Sequence, residues 1–223
     1  MKVILLAAGK GRRLRPLTEK IPKPLMEVGG KPIILHQIER LKEAGFREMV
    51  VNVAYLGEKI ERFLGTGVRF GVEILYSREG PEPLETGGGI LQALPRLSDP
   101  FLVVAADLLT DYPFERLRRS IGPFAHLVLV PNPSHHPKGD FGLREDGRVV
   151  FTPPRLTYSG IALLRKGLFH GVRPGRFKLR PLLERAIRRK EVSGECYQGM
   201  WHDIGTLGRL RALQDGLSPA QRA

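Results

Sequence analysis

A glycine-rich, basic loop follows the first apolar run of the sequence. The segment AAGKGRRLRPLT at 7–18 combines small residues with arginines, and PKP follows at 22–24. Glycines let backbone N–H groups approach a phosphate chain, and arginine and lysine side chains supply the opposite charge. Small residues at the start of the loop leave room for a flat base. The pattern therefore predicts a nucleotide site formed by Ala7, Ala8, Gly9, Gly11, Arg12, Arg13 and Lys23.

The loop differs from two common phosphate-binding motifs. No Gly-Lys-Ser/Thr sequence ends it, so it is not a P-loop, and it lacks the third glycine of a dinucleotide-binding fingerprint. Taken alone, the segment is also compatible with an ordinary basic turn.

The composition favours one compact domain with an anionic ligand. The 223 residues are 42% hydrophobic and 26% charged, which is enough apolar material for one well-buried core. The formal net charge of +13 indicates attraction to nucleic acid, phosphorylated metabolites or acidic lipid. Because the basic residues are scattered and no aromatic residues alternate with them, we do not expect nucleic acid as a partner.

Cysteine content and apolar runs exclude two further classes. Cys196 is the only cysteine, so the sequence offers neither an intrachain disulfide nor a thiolate metal site. No stretch approaches the ~20 apolar residues that cross a bilayer, and the apolar run at 3–8 is too short for a secretory signal. We therefore expect a cytosolic protein without a membrane partner.

Two periodicities alternate over about residues 1–130. Short apolar runs typical of strands buried on both faces lie at 2–6, 49–53, 72–76, 101–105 and 127–130. Apolar residues at helical spacing lie between them, before Gly45, before Gly65 and after the glycines at 87–89. This alternation predicts an α/β fold with a Rossmann-like, mainly parallel sheet flanked by helices.

The rhythm changes in the second half of the sequence. The pattern predicts a hairpin over 142–151, a longer strand at 157–164, a helix at 180–189 and a strand at 193–197. We therefore predict a single domain over 1–223, with a nucleotide-binding half at about 1–130 and a smaller antiparallel portion at about 131–215. A polar tail follows to residue 223.

The glycine-rich loop also resembles a family signature. Its spacing matches Gly-x-Gly-x-Arg-x-x-Pro-x-Thr followed by Pro-Lys, the nucleotide-binding signature of the sugar-1-phosphate nucleotidyltransferases. The resemblance implies a glycosyltransferase-A-like fold. It also implies transfer of a nucleoside monophosphate unit from an NTP to a sugar 1-phosphate, with release of pyrophosphate.

A second loop and a metal site follow from the same resemblance. The segment ETGGG at 85–89 is similar to the family's base- and ribose-reading loop, which implicates Glu85 and Gly88. Asp107 and Asp203, the latter within WHDIGT at 201–206, match the family's two magnesium ligands. Two carboxylates plus substrate oxygens suit the octahedral coordination of Mg²⁺. A helix cap, a strand-end cap and a surface acid are the respective structural alternatives.

The reaction class assigns roles to the cations. We expect Arg13 to stabilise charge on the β- and γ-phosphates with help from Arg12, and Lys23 to contact the α-phosphate or the sugar phosphate. A sugar phosphate is already ionised near neutral pH, so no general base is required. We therefore interpret His135 and His136 as part of a polar loop.

Shorter motifs resemble one group within the family, the uridylyltransferases that act on N-acetylmuramate 1-phosphate in bacterial cell-wall recycling. These motifs are ETGGG at 85–89, TDY at 110–112, NP at 132–133, GDF at 139–141 and TYSG at 157–160. The chain has Ala105 and Ala106 where this group often has Asn-Gly, and it lacks the Glu-Lys-Pro segment of longer relatives.

The second half is predicted to bind the sugar. Asp140 can accept hydrogen bonds from a hydroxyl or an N-acetyl N–H, and Gly160, next to Ser159, allows a ring to approach the backbone. We therefore expect UTP and N-acetylmuramate 1-phosphate as the substrate pair. A mannose-1-phosphate guanylyltransferase or a related cytidylyltransferase is an alternative, as is a nucleotide-sensing or nucleic-acid-binding protein without turnover.

Overall fold

The computed structural model describes residues 1–118 and 124–216, so the predicted tail beyond 216 lies outside the described residues. Thirteen strands and five α-helices are defined within these two ranges. The strands are β1 Val3–Leu6, β2 Glu27–Val28, β3 Lys31–Pro32, β4 Glu48–Val53, β5 Glu73–Arg78, β6 Phe101–Ala105, β7 Leu108–Thr110, β8 Ala125–Val130, β9 Phe141–Leu143, β10 Val149–Val150, β11 Arg155–Leu164, β12 Val192–Cys196 and β13 Trp201–Asp203. The helices are α1 Ile33–Glu43, α2 Gly57–Leu64, α3 Glu85–Ala93, α4 Arg180–Arg188 and α5 Leu207–Gly216.

A mixed sheet of nine strands forms the centre of the molecule. Its main path runs β10-β9-β11-β6-β1-β4-β5, and β8 and β12 extend it beside β11. Strand β1 pairs in parallel with β4 and β6, and β4 pairs in parallel with β5. The predicted α/β fold with a mainly parallel sheet is therefore confirmed.

Helices cover both faces of this sheet. Alternate residues of β1 point to opposite sides, because Val3 and Leu5 pack with α1 and α2 whereas Ile4 packs with α3 and α4. Each of these three side chains is fully buried. Burial on both faces explains why the parallel strands are uninterrupted apolar runs in the sequence.

The second half of the chain contributes mainly antiparallel strands to the central sheet, as the pattern predicts. Strand β11 pairs antiparallel with β6, β8 and β9, so both halves of the chain share one sheet. Its register against β8 shifts between Tyr158 and Ile161. A separate two-stranded ribbon joins β7 to β13 and stands beside the end of β6.

Most predicted element boundaries agree with the structure within two residues. Helix α3 begins at Glu85 and includes the three glycines at 87–89, so the segment ETGGG opens this helix. A β-carbon on Gly88 would lie 2.2 Å from the carbonyl oxygen of Gly175. Close packing of α3 against the chain at 175–178 therefore accounts for glycines in a helix.

No helix within the two described ranges is both long enough and apolar enough to cross a membrane.

Candidate active site

A cleft of about 560 Å³ opens at the carboxyl ends of β1, β4 and β6. This edge of an open α/β sheet is where ligands usually bind, because loops from several parallel strands converge there. Nine residues predicted from the sequence line it. They are Ala7, Ala8, Gly9, Gly11, Arg12, Arg13, Lys23, Glu85 and Asp107. The fold therefore assembles the predicted loop, Lys23 and one predicted metal ligand around a single cavity.

The glycine-rich loop turns sharply at Gly11. Its φ is +60°, and its carbonyl oxygen accepts hydrogen bonds from the Leu14 N–H (2.8 Å) and the Thr18 hydroxyl (3.0 Å). A β-carbon at Gly11 would lie 2.7 Å from Thr18 Cγ2. Gly9, by contrast, has no heavy atom within 4 Å of the position of a β-carbon. Gly11 is thus required for the turn, and Gly9 leaves open space for a ligand.

A buried polar chain supports the start of this loop. Asn52 accepts a hydrogen bond from the Ala7 N–H (2.8 Å) and donates one to Glu79 (2.6 Å). The other Glu79 oxygen accepts from the Leu84 N–H at 2.6 Å, one residue before α3. Asn52 and Glu79 are both buried. The chain therefore connects the two loops that the sequence assigns to the nucleotide.

Sequence reasoning missed this pair, although one signal was present. Asn52 is a polar residue inside the apolar strand β4, and a buried polar group needs hydrogen-bond partners. Burial raises the pKa of the Glu79 carboxyl, and the hydrogen bonds from Leu84 and Asn52 oppose that rise. Both residues line the cleft.

Lys23 and Asp107 form an ion pair in the cleft. The Lys23 side chain is only 12% exposed, and that of Asp107 is 33% exposed. Lys23 belongs to a single 3₁₀ turn after the loop, and Asp107 follows the end of β6. The two residues predicted to act on phosphate and on metal are therefore in direct contact.

The second predicted metal ligand is positioned by the β7–β13 ribbon. Leu108 lies opposite Asp203, and the Ile204 N–H donates to the Asp107 carbonyl oxygen at 3.0 Å. Asp107 directly precedes β7 and Asp203 ends β13, so the two aspartates lie on neighbouring backbone segments. Asp203 forms an ion pair with Arg209, and His135 Nε2 lies 3.1 Å from Asp203 Oδ1.

Arg13 lies close to this second aspartate group. A β-carbon on Gly205 would be 3.2 Å from Arg13 Nη2 and 2.2 Å from Arg209 Nη2. Gly205 therefore leaves room for both guanidinium groups beside the cleft. Arg209 is a cation of this cluster that the sequence analysis did not identify.

Two ion pairs connect residues at the rim of the cleft. Lys10 contacts Glu82 at 2.6 Å, and Arg176 contacts Glu85 at 3.2 Å. The hydrogen bond from Lys10 holds the pKa of the Glu82 carboxyl below its ordinary value. Neither Lys10, Glu82 nor Arg176 was predicted, because their contacts join segments far apart in sequence.

A second cavity of about 270 Å³ contains the predicted sugar residue Asp140. It shares Glu85 and Thr86 with the cleft, so the two cavities meet at the first turn of α3. One Asp140 oxygen accepts from the Tyr158 N–H (3.0 Å), and the other from Arg180 (3.0 Å). Its carboxylate is therefore held in place by the protein.

Four predicted site residues, Asp203, Ser159, Gly160 and Gly88, line neither cavity. Ser159 is buried, and its hydroxyl donates to the Val128 carbonyl oxygen at 2.7 Å. A β-carbon on Gly160 would lie 3.1 Å from that of Ala105, so this glycine lets β11 approach the end of β6. Gly88 is also buried, and its N–H donates to Phe177 at 3.1 Å.

Asp107 and Asp203 are the acidic residues predicted to bind a metal ion. Within 1–118 and 124–216 there is no group of three or more His, Cys, Asp or Glu side chains suited to hold one. Asp107 and Asp203 supply two carboxylates from adjacent strands. Mg²⁺ usually takes one or two protein carboxylates and completes its coordination with water and phosphate oxygens, so this donor set fits that ion.

Comparisons with known proteins agree with the geometry. The "Nucleotidyl transferase" family model matches residues 2–148. N-acetylmuramate alpha-1-phosphate uridylyltransferase from Neisseria meningitidis serogroup B is 47% identical over 224 residues, covering 96% of this chain and 97% of that protein. Mannose-1-phosphate guanyltransferase from Gibberella zeae is 45% identical over 230 residues, covering 92% of this chain and 61% of that protein.

A solved structure has the same fold. HddC from Yersinia pseudotuberculosis, determined in complex with GMP-PN, superposes with a TM-score of 0.78 at 21% identity, covering 96% of this chain and 98% of that chain. The family match and the nearly full-length relative confirm the prediction of a sugar-1-phosphate nucleotidyltransferase. The chain therefore belongs to the nucleotidyl transferase family.

Proposed function

We propose that this enzyme transfers a uridylyl unit from UTP to N-acetylmuramate 1-phosphate and releases pyrophosphate. The observation that carries the proposal is the single cleft in which the glycine-rich loop, Arg13, Lys23 and Asp107 meet. A cavity with these cations and backbone N–H groups fits a triphosphate, and the adjoining cavity at Asp140 has room for the sugar.

The side chains of the cleft favour the reaction through charge. The sugar phosphate must approach the α-phosphorus of an already anionic nucleotide, so catalysis depends on positioning and on neutralising charge. Arg13 neutralises charge on the leaving pyrophosphate. Lys23, which is largely shielded from solvent, binds the α-phosphate or the attacking sugar phosphate. The nucleophile is already ionised, so the protein needs no proton acceptor.

Magnesium is part of the proposal. Asp107 and Asp203 would hold the ion, which supplies charge neutralisation at the phosphates when bound. Lys23 and Arg209 neutralise these carboxylates in their present arrangement. If a metal ion bound the two carboxylates, Lys23 and Arg209 would be released to contact phosphate oxygens.

The proposed sugar and base follow from how much of each relative's length aligns with this chain. The Neisseria protein matches this chain along nearly its whole length, whereas the chain spans about three fifths of the Gibberella guanyltransferase. The Neisseria protein therefore aligns with the second half of this chain as well as with the first, and the second half contains Asp140. This supports the uridylyltransferase assignment and a role in peptidoglycan recycling.

A substrate panel tests the proposal. The purified enzyme is incubated with Mg²⁺, each of the four NTPs and a set of sugar 1-phosphates, and pyrophosphate release is measured for each pair. We expect the highest kcat/KM with UTP and N-acetylmuramate 1-phosphate. No pyrophosphate from any pair would contradict the reaction class for this chain.

The second candidate is a mannose-1-phosphate guanylyltransferase, which the 45% identity to the Gibberella protein favours. Both candidates use the same phosphate cleft, so they differ only in the base and the sugar. A higher kcat/KM with GTP and mannose 1-phosphate than with the uridylyl pair would select this candidate.

A further inference from the structure

The cavity at Asp140 contains a cation that the protein leaves unpaired. Four charged residues line it, two acidic (Glu85 and Asp140) and two basic (Lys178 and Arg180). Glu85 pairs with Arg176 at 3.2 Å, and Asp140 pairs with Arg180 at 3.0 Å. Within residues 1–118 and 124–216, the Lys178 ammonium has no hydrogen-bond or ion-pair partner. Lys178 is therefore the one charged residue of these four that has no ion-pair partner among the described residues.

Arg180 is held in a fixed orientation at the start of α4. Its Nε donates to Glu184 at 2.9 Å, its Nη1 donates to Asp140, and its guanidinium lies 5.4 Å from the centre of the Phe141 ring. Two acidic partners already balance its charge. Arg180 therefore offers an oriented N–H donor, whereas Lys178 offers an ammonium group without a partner among the described residues.

The uncharged walls of this cavity are mostly apolar. Phe141, Leu179 and Leu183 line it beside the two cations, together with Thr86 and Tyr158. A ligand that fits such a cavity carries one carboxylate together with small apolar groups. The N-acetylated sugar of the proposed substrate has these features, because its lactyl ether combines a carboxylate with a methyl group, and its acetamide adds a second methyl.

We infer that Lys178 binds the lactyl carboxylate of N-acetylmuramate 1-phosphate and thereby selects this sugar over N-acetylglucosamine 1-phosphate. The inference rests on the proposed function, and it names the group that reads the feature distinguishing the two sugars. The phosphate end of the sugar faces Lys23 in the cleft. The lactyl end reaches Lys178 past Glu85 and Thr86, where the two cavities meet.

The test compares the two sugars in matched variants. Lys178→Met removes the charge at similar side-chain length, Lys178→Arg retains a cation, and Lys190→Met removes an exposed lysine that lies outside both cavities. For each protein, kcat and KM are measured with UTP and N-acetylmuramate 1-phosphate. N-acetylglucosamine 1-phosphate is added as a competitor of N-acetylmuramate 1-phosphate, and its inhibition constant is measured. This measurement does not require that the competitor itself be turned over.

We expect Lys178→Met to raise the KM for N-acetylmuramate 1-phosphate about 10-fold to 100-fold, as for loss of a hydrogen bond to a charged group. The inhibition constant of the competitor and the KM for UTP should stay within about 2-fold, and Lys178→Arg should recover most of the loss. Lys190→Met should match the wild type. Because Lys178 is exposed, these variants are expected to fold, which a thermal unfolding midpoint verifies.

Two results would overturn the inference in distinguishable ways. If the wild type forms UDP-N-acetylmuramate but Lys178→Met weakens both sugars equally, or neither, the lactyl contact is wrong and the proposed function stands. If the wild type forms no product from N-acetylmuramate 1-phosphate, the proposed sugar and the inference both fail.

Discussion

Lys23 and Asp107 are 84 residues apart in the sequence and form an ion pair inside the cleft. The pair joins the turn after the glycine-rich loop to the end of β6. It keeps a cation and a carboxylate together where phosphate and metal are proposed to bind. Removing either partner leaves the other without a counter-charge in a partly shielded cavity, which is costly.

Asp107→Asn is expected to lower kcat by about 100-fold or more, because it removes a carboxylate proposed to bind Mg²⁺ and the partner of Lys23. Asp203→Asn should have an effect of the same order, and EDTA should abolish turnover. Pyrophosphate release across a Mg²⁺ titration is the measurement. Substantial activity of either variant at saturating Mg²⁺ would remove that aspartate from the site.

Arg13→Ala and Lys23→Ala are expected to reduce kcat by about 100-fold to 1,000-fold each, the scale of losing one preorganised charge-stabilising donor. Arg62→Ala on the exposed face of α2 is the control and should be close to wild type. Steady-state kinetics with both substrates separates kcat from KM. Near-normal kinetics of Arg13→Ala would contradict the role of the loop.

Asn52→Ala is expected to destabilise the protein and to raise the KM for UTP. The substitution leaves the Ala7 N–H and a Glu79 oxygen without their partner, at a cost of about 1–3 kcal/mol for each buried group. Ser77→Ala is the matched control, since Ser77 lies opposite Asn52 on β5 and its buried hydroxyl has no hydrogen-bond partner among the described residues. Urea unfolding should show a large decrease in the free energy of unfolding for Asn52→Ala and little change for Ser77→Ala.

Gly88→Ala is expected to destabilise the protein although alanine favours helices. The new β-carbon would lie 2.2 Å from the Gly175 carbonyl oxygen, so α3 must separate from the 175–178 segment. Gly208→Ala in α5 is the control, because no heavy atom lies within 4 Å of its β-carbon position. Helix propensity should stabilise that variant by up to about 1 kcal/mol. Equal thermal unfolding midpoints for Gly88→Ala and Gly208→Ala would refute the packing argument.

His126 is expected to make stability depend on pH. Burial lowers the pKa of its imidazole below the ordinary 6.5, and Glu195 opposes that shift. The folded state therefore binds a proton less tightly than the unfolded state, so this contribution is present above pH 6.5 and is lost as the pH falls through the lowered pKa. His126→Gln should weaken the fall in urea stability between pH 7.5 and 5.5, and His170→Gln at an exposed site should not.

Local patterns in the sequence determined the framework of this protein. The runs that became β1, β4 and β6 are apolar because both faces of a central parallel strand are buried. The phosphate loop is a contiguous segment whose glycines and arginines act on a ligand next to them. Asp107 was identified through the family resemblance, at a position just beyond the end of a predicted strand.

Tertiary structure alone decided which distant residues meet. Asn52 lies on β4 and Glu79 directly follows β5, and only the parallel pairing of these strands and the packing of α3 place them under the loop. The register of β7 against β13 likewise sets Asp203 beside Asp107. Such contacts depend on chain segments converging in space, and the order of residues does not encode that convergence locally.

The second cavity shows the same division. The sequence identified Asp140 as a residue able to bind a sugar, but it did not separate it from Ser159, whose hydroxyl is satisfied inside the sheet. Lys178 was one of many scattered basic residues in a chain of net charge +13. In the folded chain, Arg176 and Arg180 pair with the two acids of the cavity, and Lys178 has no partner among the described residues. Lys178 differs from the other basic residues only through these distances, which the sequence does not show.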